Sequence, residues 1–402
     1  MVTNHTVCFV NRLPNIRRRS LVSSLGMPAS VTLLLLLFSR PQDGADVWKS
    51  LDARSAEGVK EACQGDPAKL LEILRRGRPV GAAPAGESRE RLADAFGRET
   101  DLWIIVPKGY DPAKPTGVFL ALHGLEGTGA QLKDLWAAYA AEHNCIIAAP
   151  SAQKEPPDAK NEDAGGRELK HWWSYRDGNF PLSALSLLKK RYAIDENRVV
   201  LTGYSMGGFG TWNIGLRTPD RFCALIPYAG GLSRAEYLGL KVDERMRKLH
   251  LNAFNLPVYF VHGDADKTVP VELDRESAKQ LKALGCEFEY KEVPKAGHIM
   301  NVRDGGEIMT GIQKWLDGRT RKPHPREVKH HAIGDYCPQS YWVRLEGFKD
   351  KAAEVRASIQ GQTIDFASTG AARITFYLDE TLIDLSKPVK VTGGGRPCSR
   401  AR

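Results

Sequence analysis

The serine at position 205 has the surroundings of a nucleophile. It is the centre of the pentad G-Y-S-M-G, which follows the apolar run Val199–Leu201 and leads into the helix-like segment Phe209–Arg217. A serine on a tight turn from strand to helix holds its hydroxyl clear of the backbone, and the flanking glycines leave room for the neighbouring strand and helix. The pentad alone is a weak signal, but its place between a strand and a helix predicts a nucleophilic Ser205 rather than an ordinary turn serine.

Strand-like and helix-like segments alternate between residues 100 and 317. The predicted strands are Leu102–Val106, Val118–Leu122, Cys145–Ala149, Val199–Leu201, Ala224–Tyr228, Val258–Val261 and Phe288–Val293. The predicted helices are Ala130–Glu142, Leu182–Tyr192, Phe209–Arg217, Arg234–Asn252, Glu272–Leu284 and Glu307–Leu316. Continuous apolar strands that alternate with helices indicate an α/β fold with a mostly parallel sheet and helices on both faces.

This region resembles an α/β-hydrolase, in particular the secreted bacterial phospholipase/carboxylesterase and polyhydroxybutyrate-depolymerase-like esterases. The stretch H-G-D-A-D-K-T-V-P that begins at His262 is similar to the turn that carries the family's acid, and A-G-H that ends at His298 is similar to the segment that carries its base. The resemblance therefore implies Asp266 as the acid and His298 as the base, in the family's chain order serine, acid, histidine. Asp264 on the same turn is an alternative acid, and His298 as a buried core histidine is an alternative to its role as base.

The resemblance also implies an oxyanion hole made of two backbone N–H groups. One belongs to Met206, and the other to Leu125 in the segment L-H-G-L-E-G that follows a predicted strand. A serine hydroxyl needs a base to take its proton, a carboxylate orients that base, and the N–H groups bind the negative charge of the tetrahedral intermediate. His123 and His262, which precede glycines at strand ends, are interpreted as structural.

Two tryptophans, Trp172 and Trp173, follow a polar stretch rich in Pro and Gly. The loop that carries them is expected to border the mouth of the site. One hypothesis is therefore that one of them forms the wall of a substrate pocket, and the alternative is that both pack the loop onto the sheet. The predicted helix at 234–252 is either a cap over the site or an ordinary crossover.

Changes in composition divide the chain into six regions. The predicted boundaries are 1–45 for a signal peptide, 46–99 for a helical segment with a linker, 100–317 for the α/β-hydrolase domain, 318–331 for a second linker, 332–391 for a small antiparallel β-module and 392–402 for an unstructured tail. Short alternating segments separated by turn residues make the β-module a sandwich-like candidate. Carbohydrate contact by this module and simple packing onto the hydrolase domain are both open.

The first 45 residues have the pattern of an export signal. Three arginines at 17–19 precede the apolar segment Val31–Phe38, and small residues follow at Gly44 and Ala45. The apolar segment is much shorter than the roughly 20 residues that span a bilayer, so a stable membrane span is not expected. The predicted location is secreted or periplasmic.

Charge, cysteine content and the motifs of the sequence exclude several classes of binding partner and cofactor. The formal net charge is +9, but the first 45 residues carry five arginines against one aspartate, and the other basic residues alternate with acids, so nucleic-acid binding is not expected. Of the seven cysteines, Cys63, Cys286 and Cys337 could pair under oxidising conditions, while His330 and His331 are interpreted as a solvated linker pair. Phosphate-loop, dinucleotide and metal-ligand motifs are not found, so no cofactor and no metal are predicted.

We therefore expect an exported serine esterase that forms an acyl-enzyme on a small-molecule or polymer-linked ester. Alternatives within hydrolases are a feruloyl or acetyl esterase of polysaccharide side chains and a prolyl-oligopeptidase-like peptidase, although residues 46–100 are too few for the propeller of the latter. An alternative of another class is a binding module with a vestigial site.

Overall fold

The computed structural model describes most of the chain in two compact units. The described residues are 6–10, 44–94, 97–153, 172, 175–233, 237, 239, 243–298, 306–334, 337–394 and 396–397. One unit spans residues 12–81, and the other contains residues 1–11 and 82–402.

The described part of the smaller unit consists of three helices, as the helical pattern of residues 46–78 predicts. They are α1 (Ala45–Asp52), α2 (Ala56–Ala62) and α3 (Pro67–Arg76). The side chains of Ser55 and Asp66 accept hydrogen bonds from backbone N–H groups in the first turns of α2 and α3, which satisfies donors that have no partner within the helix. A small apolar cluster of Val47, Cys63 and Ile73 holds the three helices together.

The larger unit is built on an eight-stranded sheet. Its strands are β2 (Gly86–Ala93), β3 (Glu99–Val106), β4 (Thr116–Leu122), β5 (Cys145–Pro150), β6 (Ile194–Tyr204), β7 (Ala224–Tyr228), β8 (Val258–Gly263) and β9 (Phe288–Val293). The spatial order is β2-β3-β5-β4-β6-β7-β8-β9. The β2–β3 and β3–β5 pairs are antiparallel and the other five pairs are parallel. The predicted fold class, an α/β-hydrolase with a mostly parallel sheet, is confirmed.

The sheet begins earlier in the chain than the sequence predicts. Residues 86–93, assigned from the sequence to a linker, form the antiparallel edge strand β2, which pairs with β3 from Gly86 to Ala93. Because most of its residues are charged or polar and exposed, the strand lacks the apolar alternation that marks a half-buried strand. Ion pairs of Arg89 and Arg91 with Asp101 on β3 take the place of apolar contacts there.

Helices cover both faces of the sheet and bury two separate apolar layers. They are α4 (Gly129–Lys133), α5 (Ala137–Glu142), α6 (Tyr175–Arg191), α7 (Met206–Arg217), α8 (Glu244–Arg247), α9 (Glu272–Leu284) and α10 (Glu307–Leu316), with 3₁₀ helices at Asp134–Trp136, Pro219–Arg221 and Lys248–Asn255. Successive residues of β4 show the division, because Leu120 lies in the layer under α6, α7 and α9, whereas Phe119 lies in the layer under α5 and α10.

The continuous helix predicted over residues 234–252 is not found. Residues 234–236, 238 and 240–242 lie outside the described part of the chain, and residues 244–255 form the short helix α8 followed by a 3₁₀ helix. The five residues Leu249 to Ala253 are all buried, so this segment is packed against the domain on several sides and does not have the single apolar face of a surface helix.

The C-terminal module is a sandwich of two sheets around one apolar core, as predicted. Its strands are β10 (Glu327–Ile333), β11 (Gln339–Ser340), β12 (Val343–Phe348), β13 (Ala352–Gln360), β14 (Thr363–Thr369), β15 (Ala371–Tyr377), β16 (Lys390–Gly393) and β17 (Arg396–Pro397). One sheet has the order β10-β13-β14-β16-β17, and the other joins β15, β12 and β11. A further strand, β1 (Thr6–Val10), pairs in parallel with β15, although it lies in the stretch predicted to be a signal peptide.

The predicted solvated histidine pair is wrong. His330 and His331 lie in β10 and are 0% and 4% exposed, because β10 packs against the 3₁₀ helix Lys248–Asn255 of the α/β domain. Burial lowers the pKa of both rings, and that of His331 falls to about 4. The linker therefore ends before Glu327 and is shorter than the sequence suggested.

Asn252 makes three buried hydrogen bonds, two of which join the α/β domain to the C-terminal module. Its amide donates to the carbonyl oxygens of Leu216 (2.7 Å) and His331 (2.8 Å), and its side-chain oxygen accepts the N–H of His331 (2.6 Å). The Tyr341 hydroxyl adds a hydrogen bond to the Asn255 carbonyl at 3.1 Å. These bonds between side chains and backbone groups fix the module to the α/β domain.

The cysteine pairing that the sequence left open does not occur here. Among the described cysteines, Cys63, Cys145, Cys223, Cys286 and Cys337 are all free thiols. Burial raises the pKa of Cys286 to about 11 and that of Cys337 to about 12, so both are protonated at neutral pH.

None of the helices in the described ranges combines the length and apolar character needed to cross a bilayer.

We expect Asn252→Ala to destabilise the protein by about 2–4 kcal/mol, because it leaves two carbonyl groups and one N–H buried without their partner. Urea unfolding followed by circular dichroism measures this loss. Asn255→Ala is the matched control, because the Asn255 amide donates to the Glu327 carbonyl in a more exposed position. This substitution should lower the free energy of unfolding by less than about 1 kcal/mol. Equal losses in the two variants would contradict the role assigned to Asn252.

Candidate active site

Ser205 occupies a strained turn between β6 and α7. Its φ and ψ angles are 56° and −117°, which L-residues other than glycine rarely adopt. The backbone N–H of Ser205 donates to the Tyr228 carbonyl of β7 at 2.9 Å, so the turn is fastened to the neighbouring strand. This geometry lifts the serine side chain to the carboxyl edge of the sheet, as the pentad predicts.

Glycines make this turn possible by allowing backbones to touch. A Cβ atom at Gly207 would lie 1.9 Å from the carbonyl oxygen of Leu122 at the end of β4. A Cβ atom at Gly203 would lie 2.3 Å from the Gly207 carbonyl oxygen. Any larger residue at either position would push α7 away from the sheet, so the first and last glycines of the pentad are steric requirements of the turn.

Ser205, His298 and Asp266 form one hydrogen-bonded chain. The Ser205 Oγ atom is 2.8 Å from His298 Nε2, and His298 Nδ1 is 2.7 Å from Asp266 Oδ2. The Asp266 side chain is fully buried and that of His298 is 16% exposed, so Asp266 is the end of the chain that is closed to solvent. The three residues that the resemblance implied are therefore brought together, 93 and 32 positions apart along the chain.

The Asp266 carboxylate is held by donors on both oxygens. Its Oδ1 atom accepts the N–H groups of Thr268 (2.8 Å) and Val269 (2.9 Å), and its Oδ2 atom faces His298. Burial opposes ionisation, but the hydrogen bonds from Val269, His298 and Thr268 outweigh it and lower the pKa of Asp266 below its usual value. Asp266 is therefore an anion at neutral pH.

The alternative acid, Asp264, points elsewhere. Its Oδ1 atom accepts the backbone N–H of Lys295 at 2.5 Å on an exposed part of the loop. This contact ties the turn after β8 to the turn after β9, which carries His298. Asp264 thus helps to shape the loop pair and does not face the histidine ring.

The two predicted oxyanion donors lie on segments that meet at Ser205. Met206 begins α7, and Gly124, just before Leu125, is so near that a Cβ atom on it would be 3.6 Å from Ser205 Cβ. Among the described residues, neither the Met206 N–H nor the Leu125 N–H has an acceptor. The Leu125 side chain is 52% exposed, so it lies at the rim of the site.

Trp172 is a packing residue and not the wall of an open pocket. Its side chain is fully buried, and its indole N–H donates to the His123 carbonyl oxygen at 3.0 Å. The space it fills is one that Gly210 of α7 leaves open, since a Cβ there would lie 2.3 Å from Trp172 Cβ. Trp172 therefore supports the Leu125 loop from behind, and Trp173 lies outside the described residues.

The histidines interpreted as structural are both buried and hydrogen-bonded. His123 Nε2 accepts the N–H of Ala152 at 2.9 Å, and its Nδ1 donates to the Gly124 carbonyl at 2.7 Å, which fixes the tautomer and the course of the loop. His262 lies directly behind Asp266, with 3.3 Å between Nε2 and Oδ2. Sequence reasoning missed this proximity, although the spacing of four residues in the same turn was visible.

Tyr204 is a second residue that the sequence analysis did not single out. Its hydroxyl donates to the backbone carbonyl of His298, and its ring lies 5.1 Å from the imidazole. Burial raises the pKa of Tyr204 to about 12, so the hydroxyl remains a donor at neutral pH. The residue next to the serine thus positions the histidine. In the sequence, the presence of an aromatic residue within the pentad was the only signal for this role.

The lowered pKa of Asp266 predicts a pH-dependent contribution to stability. The contribution is fully present above the unfolded-state pKa of about 3.9 and is lost as the pH falls through the lower folded-state value. The difference in unfolding free energy between the wild type and Asp266→Asn should therefore shrink as the pH falls from 5 towards 3. Urea unfolding at several pH values tests this, and a difference that does not change with pH would contradict it.

Comparison with known proteins places the chain in a family. The Esterase model, described as "Putative esterase", matches residues 93–301, slightly more than half of the chain. Acyl-protein thioesterase 1 of Gibberella zeae is 29% identical over 123 residues, which is 31% of this chain and 50% of that protein. Lysophospholipase-like protein 1 of Mus musculus is 27% identical over 142 residues, 35% of this chain and 56% of that protein.

The chain spans about half the length of these curated relatives. Among solved structures, a thermostable esterase is 26% identical, with a TM-score of 0.44 over 58% of this chain and 63% of that one. The family match covers the pentad, the acid turn and His298 together. From the sheet, the turn at Ser205 and the match over residues 93–301, we conclude that this chain is a member of the Esterase family with an α/β-hydrolase fold.

Proposed function

We propose that this protein hydrolyses carboxylic esters through a covalent acyl-enzyme on Ser205. The observation that carries the proposal is the hydrogen-bonded chain from Ser205 Oγ through the His298 ring to the buried Asp266 carboxylate. An imidazole in contact with a serine hydroxyl on one side and an anionic carboxylate on the other is arranged to move a proton during acyl transfer.

In the first half of the reaction, Ser205 Oγ attacks the ester carbonyl carbon and its proton passes to His298 Nε2. The carbonyl oxygen becomes an oxyanion, which the N–H groups of Met206 and Leu125 bind. When the tetrahedral intermediate collapses, the bond to the alcohol oxygen breaks and His298 returns the proton to that oxygen. The products are the free alcohol and an ester of Ser205.

In the second half, water takes the place of the alcohol. His298 Nε2 accepts a proton from the water as its oxygen attacks the acyl carbon, and the same N–H groups bind the second oxyanion. The proton then passes to Ser205 Oγ as the acid leaves. The Asp266 carboxylate stabilises the imidazolium in both halves and keeps Nδ1 protonated.

The exposed Leu125 side chain beside the serine favours an apolar group on the substrate. Leu125 is 52% exposed, and the glycine before it lies close to Ser205. Covering this side chain with an apolar acyl or alcohol group removes apolar surface from water, which favours binding. Both simple esters and esters attached to a polymer can present such a group.

The C-terminal module is proposed to stabilise the α/β domain. In its described part Trp342 and Tyr341 are 3% and 8% exposed, and Tyr377, at 36%, is the one large apolar side chain that is clearly exposed. A carbohydrate platform needs exposed aromatic rings, whereas the Asn252 contacts show firm packing onto the α/β domain.

Export is proposed on the N-terminal sequence pattern only.

Replacing the nucleophile tests the proposal. We expect Ser205→Ala to lower kcat for p-nitrophenyl acetate and butyrate by at least about 10⁴-fold and to abolish labelling by a fluorophosphonate probe. Ser186→Ala, which changes an exposed serine on α6 whose hydroxyl donates to the Leu182 carbonyl, is the control and should retain both. Turnover or labelling that survives in Ser205→Ala would refute the mechanism.

Replacing each aspartate of the turn separates the two candidate acids. We expect Asp266→Asn to lower kcat by about 10³–10⁴-fold, because an amide neither stabilises the imidazolium nor enforces the tautomer. Asp264→Asn should change kcat by less than about 10-fold, since Asp264 bonds only the Lys295 N–H among the described residues. Steady-state kinetics on p-nitrophenyl esters provide the measurement, and the reverse order of effects would assign the acid to Asp264.

A further inference from the structure

A second histidine–aspartate pair lies behind the acid of the site. His262, at the end of β8, is fully buried, and its Nδ1 atom is 2.8 Å from Asp274 Oδ2 in the first turn of α9. The other oxygen of Asp274 accepts the indole N–H of Trp212 of α7 at 3.1 Å. The His262 Nε2 atom is 3.0 Å from the Val269 carbonyl oxygen and 3.3 Å from Asp266 Oδ2.

The contacts of His262 determine where its protons are. Nε2 faces a carbonyl and a carboxylate, which are acceptors only, so it carries a hydrogen. The distance of 2.8 Å from Nδ1 to Asp274 also requires a hydrogen between the two atoms. Burial alone would lower the pKa of His262, but the hydrogen bond and the charge of Asp274 outweigh it and raise that pKa, while burial also raises the pKa of Asp274. His262 and Asp274 therefore share the second hydrogen across this contact.

This arrangement controls the electrostatics around Asp266. With one hydrogen on Nε2 and one shared with Asp274, the His262–Asp274 pair has no net charge, so the charge of Asp266 remains available to His298. The same ring also fixes the turn, because Val269 receives the Nε2–H at its carbonyl while its own N–H donates to Asp266 Oδ1. Both effects act on Asp266 and neither reaches the substrate, since His262 and Asp274 are 0% exposed.

We propose that His262 is a positioning residue whose Nε2–H, held in place by Asp274, keeps the Asp266 carboxylate in the orientation that His298 needs. The proposal rests on the esterase function proposed above. It continues the hydrogen-bonded chain Ser205, His298, Asp266 through the 3.3 Å contact between Asp266 and His262 and the hydrogen bond between His262 and Asp274, with Trp212 as the final donor.

Two substitutions at His262 separate positioning from packing. His262→Asn places an amide near the Nδ1 position and loses the donor at Nε2, whereas His262→Gln reaches the Nε2 position and keeps a donor towards Val269. We expect His262→Asn to lower kcat by about 10–100-fold, as removal of groups that orient a functional side chain commonly does, with KM within about two-fold. His262→Gln should recover kcat to within a few-fold of the wild type.

His250→Asn is the matched control for the loss of a buried imidazole. His250 is also buried against α9, where its Nε2 atom is 3.1 Å from Ser277 Oγ, and its ring packs against Trp212, but it has no contact with the acid turn among the described residues. It should lower the Tm about as much as His262→Asn and leave kcat per titrated active site unchanged. Fluorophosphonate titration gives the number of active sites in each variant.

The outcomes distinguish this inference from the esterase proposal. If the wild type shows no Ser205-dependent turnover or labelling, both fail. If the wild type is active and the two His262 variants have the same kcat, or if His262→Asn behaves like His250→Asn, only the positioning role is overturned. Should His262→Asn not fold, Asp274→Ala and Asp274→Asn make the same comparison, because the amide can still donate to Nδ1 and keep the hydrogen on Nε2. A fall in kcat for Asp274→Ala but not for Asp274→Asn supports the role, and equal values overturn it.

Discussion

The contact between the start of α7 and the end of β4 is the constraint on which the site depends. The Gly207 backbone lies so close to the Leu122 carbonyl that no side chain fits between them, and Ser205 at the same turn is held in a left-handed conformation by its hydrogen bond to Tyr228. Strain of this kind costs about 1–3 kcal/mol and persists only where the surrounding structure enforces it. Here the enforcement comes from β4 and β7 on either side of β6.

With the serine fixed, the acid and the base must come to it on loops. The turn after β8 brings Asp266, the turn after β9 brings His298, and the Asp264 contact with Lys295 joins the two turns. Tyr204 reaches across from the serine turn to the His298 backbone. Each of these loops thus carries one contact that orients a neighbouring loop, which limits how far any of the three side chains can move.

Burial of charged groups in this site costs free energy that their hydrogen-bond partners must offset. Two carboxylates, Asp266 and Asp274, are removed from solvent within a short distance of each other, and an unpaired buried charge is costly. Their compensation comes from backbone N–H groups, two histidines and one indole, drawn from β8, the turn after β8, α7 and the loop after β9.

The sequence by itself determined the local features of this protein. The strand-turn-helix at Ser205, the parallel sheet and the sandwich module follow from apolar periodicity and from glycines at a tight turn, which are properties of neighbouring residues. The tertiary structure decided whatever depends on distant neighbours. Trp172 is buried because Gly210 leaves space for it, and residues 86–93 form the strand β2 because they pair with the edge of β3. His330 and His331 are shielded from solvent because β10 packs against the 3₁₀ helix Lys248–Asn255. The partnership of His262 with Asp274 belongs to the same class, since α9 has to pack on β8 before either residue has its partner.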